Sequence, residues 1–328
     1  MSMTVLGPLP STHDRLDVVS EWRIDEMIAL LDDDEALKAA LEQLDYARDV
    51  RAQIFVPPTL AVPATFTGEH RTYVCINQKG GAGKTTTAME LAAAFVAMGY
   101  TVRLIDADPQ EASLSGVWLL PDFDGIREAD RYTLTDVLFG RQPLDEATYE
   151  TRVQGLYIVP SGAHLGTVEY DPKAGRDGSL RSAIRRSKAE VDITIIDAPP
   201  ALGKLSINGL IAADFAIVPL KVGALDKRAL RELHQTVRAV QEDVNPNLTV
   251  AATVMTSWDK SWYAAKTAAQ LRADYPEAIV ATARRSVKVA EAPDHGVPVR
   301  AFAPTANTTG DYDQLARLLL PVKEHTAA

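Results

Sequence analysis

The most informative stretch of this sequence is a run of glycines that ends in a lysine and two threonines. In order, it comprises Gly80, Gly81, Ala82, Gly83, Lys84, Thr85 and Thr86. Glycines let backbone N–H groups approach phosphate oxygens, and a helix that begins directly after them adds free N–H donors and the positive end of its dipole. In such a loop the lysine contacts the β- and γ-phosphates, and the first threonine hydroxyl binds Mg²⁺. The stretch therefore predicts a site for MgATP.

The elements on either side of the glycines fit this chemistry. An apolar run over 73–76 is typical of a buried strand, and residues 88–96 are rich in strong helix formers. Strand, glycine loop and helix in that order form the context that a phosphate-binding loop requires.

Acidic side chains follow two further apolar runs. Asp197 ends the run 191–196, and Asp106 and Asp108 follow the run 101–105. Because ligands of parallel α/β sheets bind at the carboxyl ends of the strands, we expect these carboxylates beside the phosphate loop. Asp197 is in the position of a Walker B aspartate and is predicted to hold Mg²⁺, and the Ala-Pro-Pro turn after it is predicted to sense the γ-phosphate.

A second lysine, Lys79, opens the glycine loop, where the common pattern would begin with glycine at position 78. The form Lys-Gly-Gly-Ala-Gly-Lys-Thr resembles the deviant Walker A motif of the ParA/MinD family of ATPases. The resemblance implies that ATP joins two subunits face to face and that Lys79 reaches the partner's nucleotide. The Asp-Ala-Asp-Pro-Gln stretch also resembles this family, which implies that Asp108 orients the attacking water and that Asp106 assists at the metal site.

The C-terminal third extends the resemblance. Residues 284–293 are similar to a segment of the chromosomal (Soj-like) ParA proteins, although Arg284 and Ser286 replace the proline and asparagine of that pattern. The resemblance places Pro304 against the adenine base. It also implies that the ATP-bound dimer coats DNA without reading its sequence and that a ParB-like adaptor stimulates hydrolysis.

Binding to DNA without sequence readout needs only lysines and arginines that face phosphates. The basic residues of the C-terminal third are predicted to form that face: Lys260, Lys266, Arg272, Arg284, Arg285 and Lys288. A second basic patch comprises Arg181, Arg185, Arg186 and Lys188.

Length and charge divide the 328-residue chain into three parts. Residues 1–56 read as an acidic helical extension, with 12 Asp or Glu and 5 Lys or Arg, so that −7 of the net −10 lies there. A proline-containing linker over 57–70 leads to the ATPase domain, residues 71–328. Alternating strands and helices in that domain predict a mostly parallel twisted sheet with helices on both faces.

Three other functions share parts of this pattern. A relative that positions a protein cargo over the nucleoid would use the same ATP cycle and DNA face. A MinD-like membrane ATPase would carry a basic amphipathic C-terminal helix, which the sequence after position 320 is too short and insufficiently basic to form. A metabolic enzyme on this scaffold would need a second substrate pocket, for which no set of residues stands out. We therefore expect a cytoplasmic, nucleoid-associated protein that binds no membrane.

Overall fold

The computed structural model of the protein describes residues 69–110, 113–171, 178–222, 227–258 and 261–320. The acidic extension, all of the linker except Glu69 and His70, Lys260 and the tail after Leu320 lie outside the described residues. Their predictions stay predictions.

Among the described residues, eight strands form one sheet, and their sequence order differs from their order in space. They are β1 (Arg71–Cys75), β2 (Val102–Asp106), β3 (Tyr149–Glu150), β4 (Leu156–Val159), β5 (Ile193–Asp197), β6 (Phe215–Lys221), β7 (Thr249–Trp258) and β8 (Ile279–Arg284). Across the sheet the order is β3-β4-β2-β5-β1-β6-β7-β8, and every pairing is parallel except that of β3 with β4. Strand β1 therefore lies in the interior of the sheet, between β5 and β6.

In the described part of the chain, nine α-helices connect or follow these strands. They are α1 (Lys84–Ala97), α2 (Leu134–Leu138), α3 (Ser179–Arg186), α4 (Lys204–Ala212), α5 (Lys227–Asp243), α6 (Trp262–Asp274), α7 (Val287–His295), α8 (Val299–Phe302) and α9 (Asn307–Leu319). A π-helical turn, Leu114–Trp118, follows β2. The sequence predicted no regular structure at this turn or at α7.

Neighbouring residues of β1 show that helices cover both faces of the sheet. The Tyr73 ring lies 5.6 Å from that of Phe95 on α1. The next side chain, Val74, lies so close to Gly209 of α4 that a Cβ there would come within 3.2 Å of it. Since successive strand side chains point to opposite faces, α1 and α4 lie on opposite sides. The predicted mostly parallel sheet with helices on both faces is confirmed.

The amino ends of the strands are held by polar side chains from neighbouring loops. Asp192 accepts from the Thr101 backbone N–H at 2.7 Å, and Asp214 accepts from that of Thr72 at 2.8 Å. The buried Asn245 Nδ2 lies 2.7–3.3 Å from three carbonyl oxygens at the end of α4, those of Leu210, Ile211 and Ala213.

No helix among the described residues combines the length and the apolar content that a bilayer span requires.

Replacing Asn245 by alanine is expected to lower the free energy of unfolding by about 1–3 kcal/mol, because carbonyl groups at the end of α4 lose a buried donor. Denaturant titration measures the change. Asn247 is exposed in the same turn, so Asn247→Ala is a matched control that should change stability by less than about 0.5 kcal/mol. Equal losses in the two variants would contradict this account of the turn.

Candidate nucleotide-binding site

The glycine loop leaves the carboxyl end of β1 and is fixed there by Asn77. The Asn77 Nδ2 donates to the Pro219 carbonyl on β6 at 2.6 Å, and its Oδ1 accepts from the Lys79 backbone N–H at 3.0 Å. One buried amide side chain thus joins the start of the loop to the adjacent strand.

The end of the loop is held by Thr256 of β7. Its Oγ1 donates to the Ala82 carbonyl at 2.8 Å. Gly83, with φ of 91°, precedes α1, and a Cβ at this position would lie 2.9 Å from the Thr256 Cγ2. Glycine is therefore required at position 83 both by backbone conformation and by space.

Lys84 and Asp197 lie at the bottom of this loop. Asp197 pairs in register with Cys75, the last residue of β1. It is fully buried, and neither carboxylate oxygen has a hydrogen-bond partner. Burial, followed by the nearby charge of Asp106, raises the pKa of Asp197 to about 8, and Thr85 and Lys84 partly oppose that rise. Burial also lowers the pKa of Lys84, and the nearby charges of Asp197 and Asp108 partly oppose that decrease.

A buried carboxyl group without hydrogen bonds is costly unless something compensates its charge. The Thr85 side chain lies close enough to lower the pKa of Asp197, without completing a hydrogen bond of ordinary geometry. A hydroxyl beside a carboxylate is an oxygen donor set that suits Mg²⁺. The residues present therefore fit the metal predicted from the sequence.

The two aspartates after β2 have different surroundings. Asp106 is fully buried and accepts from the Ser115 backbone N–H at 2.7 Å and from its hydroxyl at 2.5 Å. Among the described residues, Asp108 accepts only from the Gln110 backbone N–H, at 3.1 Å. Burial raises the pKa of Asp108, and the nearby charge of Lys84 acts against that rise. Ser115, on the π-helical turn, thus holds Asp106 in place, and Asp108 is the less constrained carboxylate beside Lys84.

A cavity of about 490 Å³ opens beside the loop. Its walls come from the glycine loop, the carboxyl ends of β7 and β8 and the start of α7, and Thr308 and Tyr312 of α9 complete it. Ser257, the one described non-glycine residue with positive φ, at 53°, lies in the wall where the pairing of β7 with β8 shifts register. The volume falls within the range usual for small-molecule sites.

Helix α9 is tied to the helix that follows the loop. The Tyr312 hydroxyl lies 3.0 Å from the Thr87 Oγ1, and both groups are buried. Glu90, also on α1, accepts from the Val299 backbone N–H at 2.7 Å at the start of α8. These contacts fix the C-terminal helices against α1, which places Tyr312 in the cavity wall.

Two residues that the resemblance assigned to the site are exposed. Lys79 is exposed at the mouth of the loop. Pro304 is exposed between α8 and α9, and Thr308 and Tyr312 of α9 line the cavity. The assignment of Pro304 to the adenine base stays a prediction.

Comparison with known proteins agrees with this geometry. A family model described as an AAA domain matches residues 70–250. The chromosome partitioning protein ParA of Caulobacter vibrioides is 36% identical over 254 residues, which cover 75% of this chain and 92% of that protein. The cell division protein PomZ of Myxococcus xanthus is 33% identical over 256 residues, 77% of this chain and 78% of PomZ.

The chain belongs to the ParA/MinD family of ATPases. Among solved structures, the cobyrinic acid a,c-diamide synthase of Mycobacterium smegmatis with bound ADP and magnesium is similar, with a TM-score of 0.60 and 28% identity. That similarity covers 75% of this ParA-family chain and 92% of the synthase chain.

The residues predicted to form a DNA face in this ParA-family chain differ in position and in partners, and the face stays a prediction. Arg272 lies near the end of α6, which returns toward the amino ends of the strands, and burial lowers its pKa. Arg284 makes a bidentate ion pair with the buried Asp311, at 2.7 and 2.8 Å. The pair leaves the Arg284 side chain 26% exposed.

Three other candidates for the DNA face differ in their surroundings. Arg285 is exposed and makes no ion pair with another described residue. Lys288 pairs with Glu291 at 2.7 Å. Lys266 is half-buried in the first half of α6. Of the described candidates, Arg285 is thus the exposed one, and the others are half-buried.

The pKa of Asp197 predicts a pH-dependent stability. Because the folded value of about 8 exceeds the unfolded value of 3.8, the folded protein retains a proton that the unfolded chain has released between these limits. Without nucleotide or metal, the free energy of unfolding should therefore fall as pH rises from 5 to 8, by at most about 1.4 kcal/mol per pH unit.

Asp197→Asn removes this titration. Urea titrations at pH 5, 6, 7 and 8 measure the free energy of unfolding of the wild type and of Asp197→Asn. The stability of Asp197→Asn relative to the wild type should increase with each step in pH. Glu90, whose pKa burial raises to about 7, titrates in both proteins and cancels. A difference that does not change with pH would contradict the assignment.

Proposed function

We propose that this chain is a ParA-type switch ATPase that dimerises on ATP, binds DNA without sequence preference in that state and partitions DNA with a ParB-like adaptor. The observation that carries the proposal is the fully buried, unpartnered carboxylate of Asp197 beside Lys84 and the glycine loop. The partitioning role is supported by the 36% identity to a chromosome partitioning protein.

In the proposed site each residue has a separate task. Backbone N–H groups of Gly80, Gly81, Gly83 and the start of α1, including Thr86, bind the phosphates, and Lys84 neutralises their charge. Thr85 and Asp197 hold Mg²⁺, which offsets the charge of the phosphate oxygens when bound. We assign Asp106 an indirect role at the metal, because Ser115 already donates twice to one of its carboxylate oxygens.

Asp108 is the residue that we assign to the attacking water. Its second oxygen makes no hydrogen bond with a described residue, and Lys84 lies close enough to act on its pKa. A carboxylate that orients a water without a strong general base fits slow hydrolysis of ATP until a partner completes the site. The cavity beside the loop would receive the nucleoside, with Tyr312 and Ser257 in its walls.

In this proposal, the ATP cycle changes the assembly state of the protein rather than making a metabolite. Contacts to the γ-phosphate favour the dimer, and hydrolysis removes them, so that nucleotide state determines DNA binding. Lys79 is exposed at the mouth of the loop, and we propose that it reaches the nucleotide of a second subunit. We place this cycle in the cytoplasm, on the nucleoid.

A second function is favoured by the 33% identity to the cell division protein PomZ. The same cycle would then position a protein cargo rather than DNA. Deletion in the host separates the two functions: cells without DNA indicate partitioning, and misplaced division sites with normal DNA content indicate positioning. A metabolic reaction like that of the Mycobacterium smegmatis synthase would instead show turnover that depends on a small carboxylic acid.

Lys79→Ala should abolish the dimer that forms with a non-hydrolysable ATP analogue and Mg²⁺, while changing the affinity for the analogue less than about threefold, because the side chain acts on the partner's nucleotide. Light scattering measures mass, and titration calorimetry measures affinity. Arg127 is 82% exposed on another surface turn, so Arg127→Ala is a control that should dimerise normally. A wild-type protein that stays monomeric with the analogue would contradict the proposal.

Arg285→Ala should weaken binding of random duplex DNA at every sequence and reduce the slope of log affinity against log salt by about 1, because one phosphate contact is lost. Fluorescence anisotropy in the ATP-analogue state, at several salt concentrations, measures both quantities. Arg127→Ala again provides a matched exposed arginine, and its slope should equal that of the wild type. An unchanged slope for Arg285→Ala would exclude this residue from the DNA face.

A further inference from the structure

A groove lies between α2, with the turn that follows it, and α3. It has a volume of about 410 Å³. Its floor is apolar, with Val137, Leu138 and Leu144 all buried, and Arg141 and Arg186 line its sides. We refer to it as the α2–α3 groove.

The rim of the groove carries positive charge that the described protein does not neutralise. Arg185, Arg186 and Lys188 are exposed at the end of α3 and just beyond it. Their side chains make no ion pair or hydrogen bond with another described residue. The charge of Arg185 acts, after burial, to lower the pKa of Arg181. These cations therefore repel one another.

A buried cation lies directly behind this rim. The Arg103 guanidinium on β2 is fully buried, and its Nε and Nη1 have no hydrogen-bond partner. Its Nη2 donates to the Ser187 hydroxyl at 2.8 Å and lies 3.5 Å from Asp145. Ser187 also lines the groove. Asp145 thus compensates only part of the combined positive charge of the buried Arg103 and the rim cations.

The described chain begins close to these cations. His70 Nε2 lies 2.9 Å from the Thr194 Oγ1, and Thr194 pairs in register with Arg103. Residue 70 is therefore one strand away from the buried arginine, at the amino edge of the sheet. The 13 residues from 57 to 69 reach at most about 40 Å when extended, enough to cross the face of a domain of this size.

The sequence before position 57 has the complementary composition. It carries the net charge of −7, together with apolar residues at three- and four-residue spacing, Ile24, Met27, Ile28 and Leu31. An acidic segment with an apolar stripe matches a groove with an apolar floor and a basic rim. The groove between α5 and α6 lacks this match, because it is lined by Arg231 but also by Asp274, His234 and two glutamines.

We propose that the acidic segment, residues 1–56, docks within the same chain on the α2–α3 groove, with its carboxylates facing Arg185, Arg186 and Lys188. The groove lies toward the amino ends of the strands, and the glycine loop lies at their carboxyl ends. Docking is therefore independent of nucleotide, and it neutralises a basic surface that would otherwise attract nucleic acid. It does not depend on the proposed partition function.

Photocrosslinking in the full-length chain tests this arrangement without nucleotide. Ser182 is exposed and lines the α2–α3 groove, and Asp274 is exposed and lines the groove between α5 and α6. Ser182→Cys and Asp274→Cys each receive a thiol-reactive benzophenone, since the native Cys75 is fully buried. Mass spectrometry of the crosslinked peptides, with a mixture of isotope-labelled and unlabelled chains, separates links within a chain from links between chains.

The proposal predicts links from Ser182→Cys to peptides of residues 1–56 within one chain, at least about fivefold more abundant than from Asp274→Cys. Adding Arg185→Glu and Arg186→Glu should reduce them about fivefold, as should 0.5 M salt, whereas Arg185→Lys and Arg186→Lys should preserve them. Circular dichroism checks that α3 persists in each variant. Equal yields at the two positions, links only between chains, or yields unaffected by charge reversal would each overturn the proposal.

Discussion

The placement of one carboxylate constrains the rest of the site. Asp197 ends a strand that is buried on both faces, and its register with Cys75 brings it beside the loop that follows β1. Neither of its oxygens is hydrogen-bonded, and its charge is opposed by burial and by Asp106. Such a group is expensive in a folded protein unless a cation offsets it. The cost in folding stability of burying Asp197 without hydrogen bonds fits a site that is completed by a ligand rather than by the protein's own side chains.

The hydrogen bonds that hold the loop join it to elements distant in sequence. Asn77 donates to β6, Thr256 of β7 donates to the Ala82 carbonyl, and Tyr312 of α9 contacts Thr87 on α1. The loop is thus fixed at its start, at its end and along the helix that follows. A preorganised loop loses little conformational entropy when it binds phosphates, and a change there can be transmitted to the C-terminal helices through α1.

Local motifs predicted the glycine loop, the strand-end aspartates beside it and the parallel sheet, because all three follow from short sequence patterns. Prediction was incomplete where the surroundings of a side chain depend on a distant partner. The sequence offered Arg284 as a DNA-facing cation, and it contained no local sign of the ion pair with Asp311, 27 residues later. Ser115 lies in a stretch without periodicity, so nothing local indicated that it binds Asp106. Pro304 was assigned to the adenine base by resemblance alone and stays a prediction, while Thr308 and Tyr312 line the cavity.

The central claim is that the buried carboxylate and the glycine loop form one site for a nucleotide together with its metal. Titration calorimetry of ATP binding at pH 8, with Mg²⁺ and with a chelator, tests it most directly in wild type and in Asp197→Ala. The account predicts that Mg²⁺ strengthens binding to the wild type at least tenfold and that this gain largely disappears in Asp197→Ala, which still binds metal-free ATP. The same gain from Mg²⁺ in both proteins would contradict it.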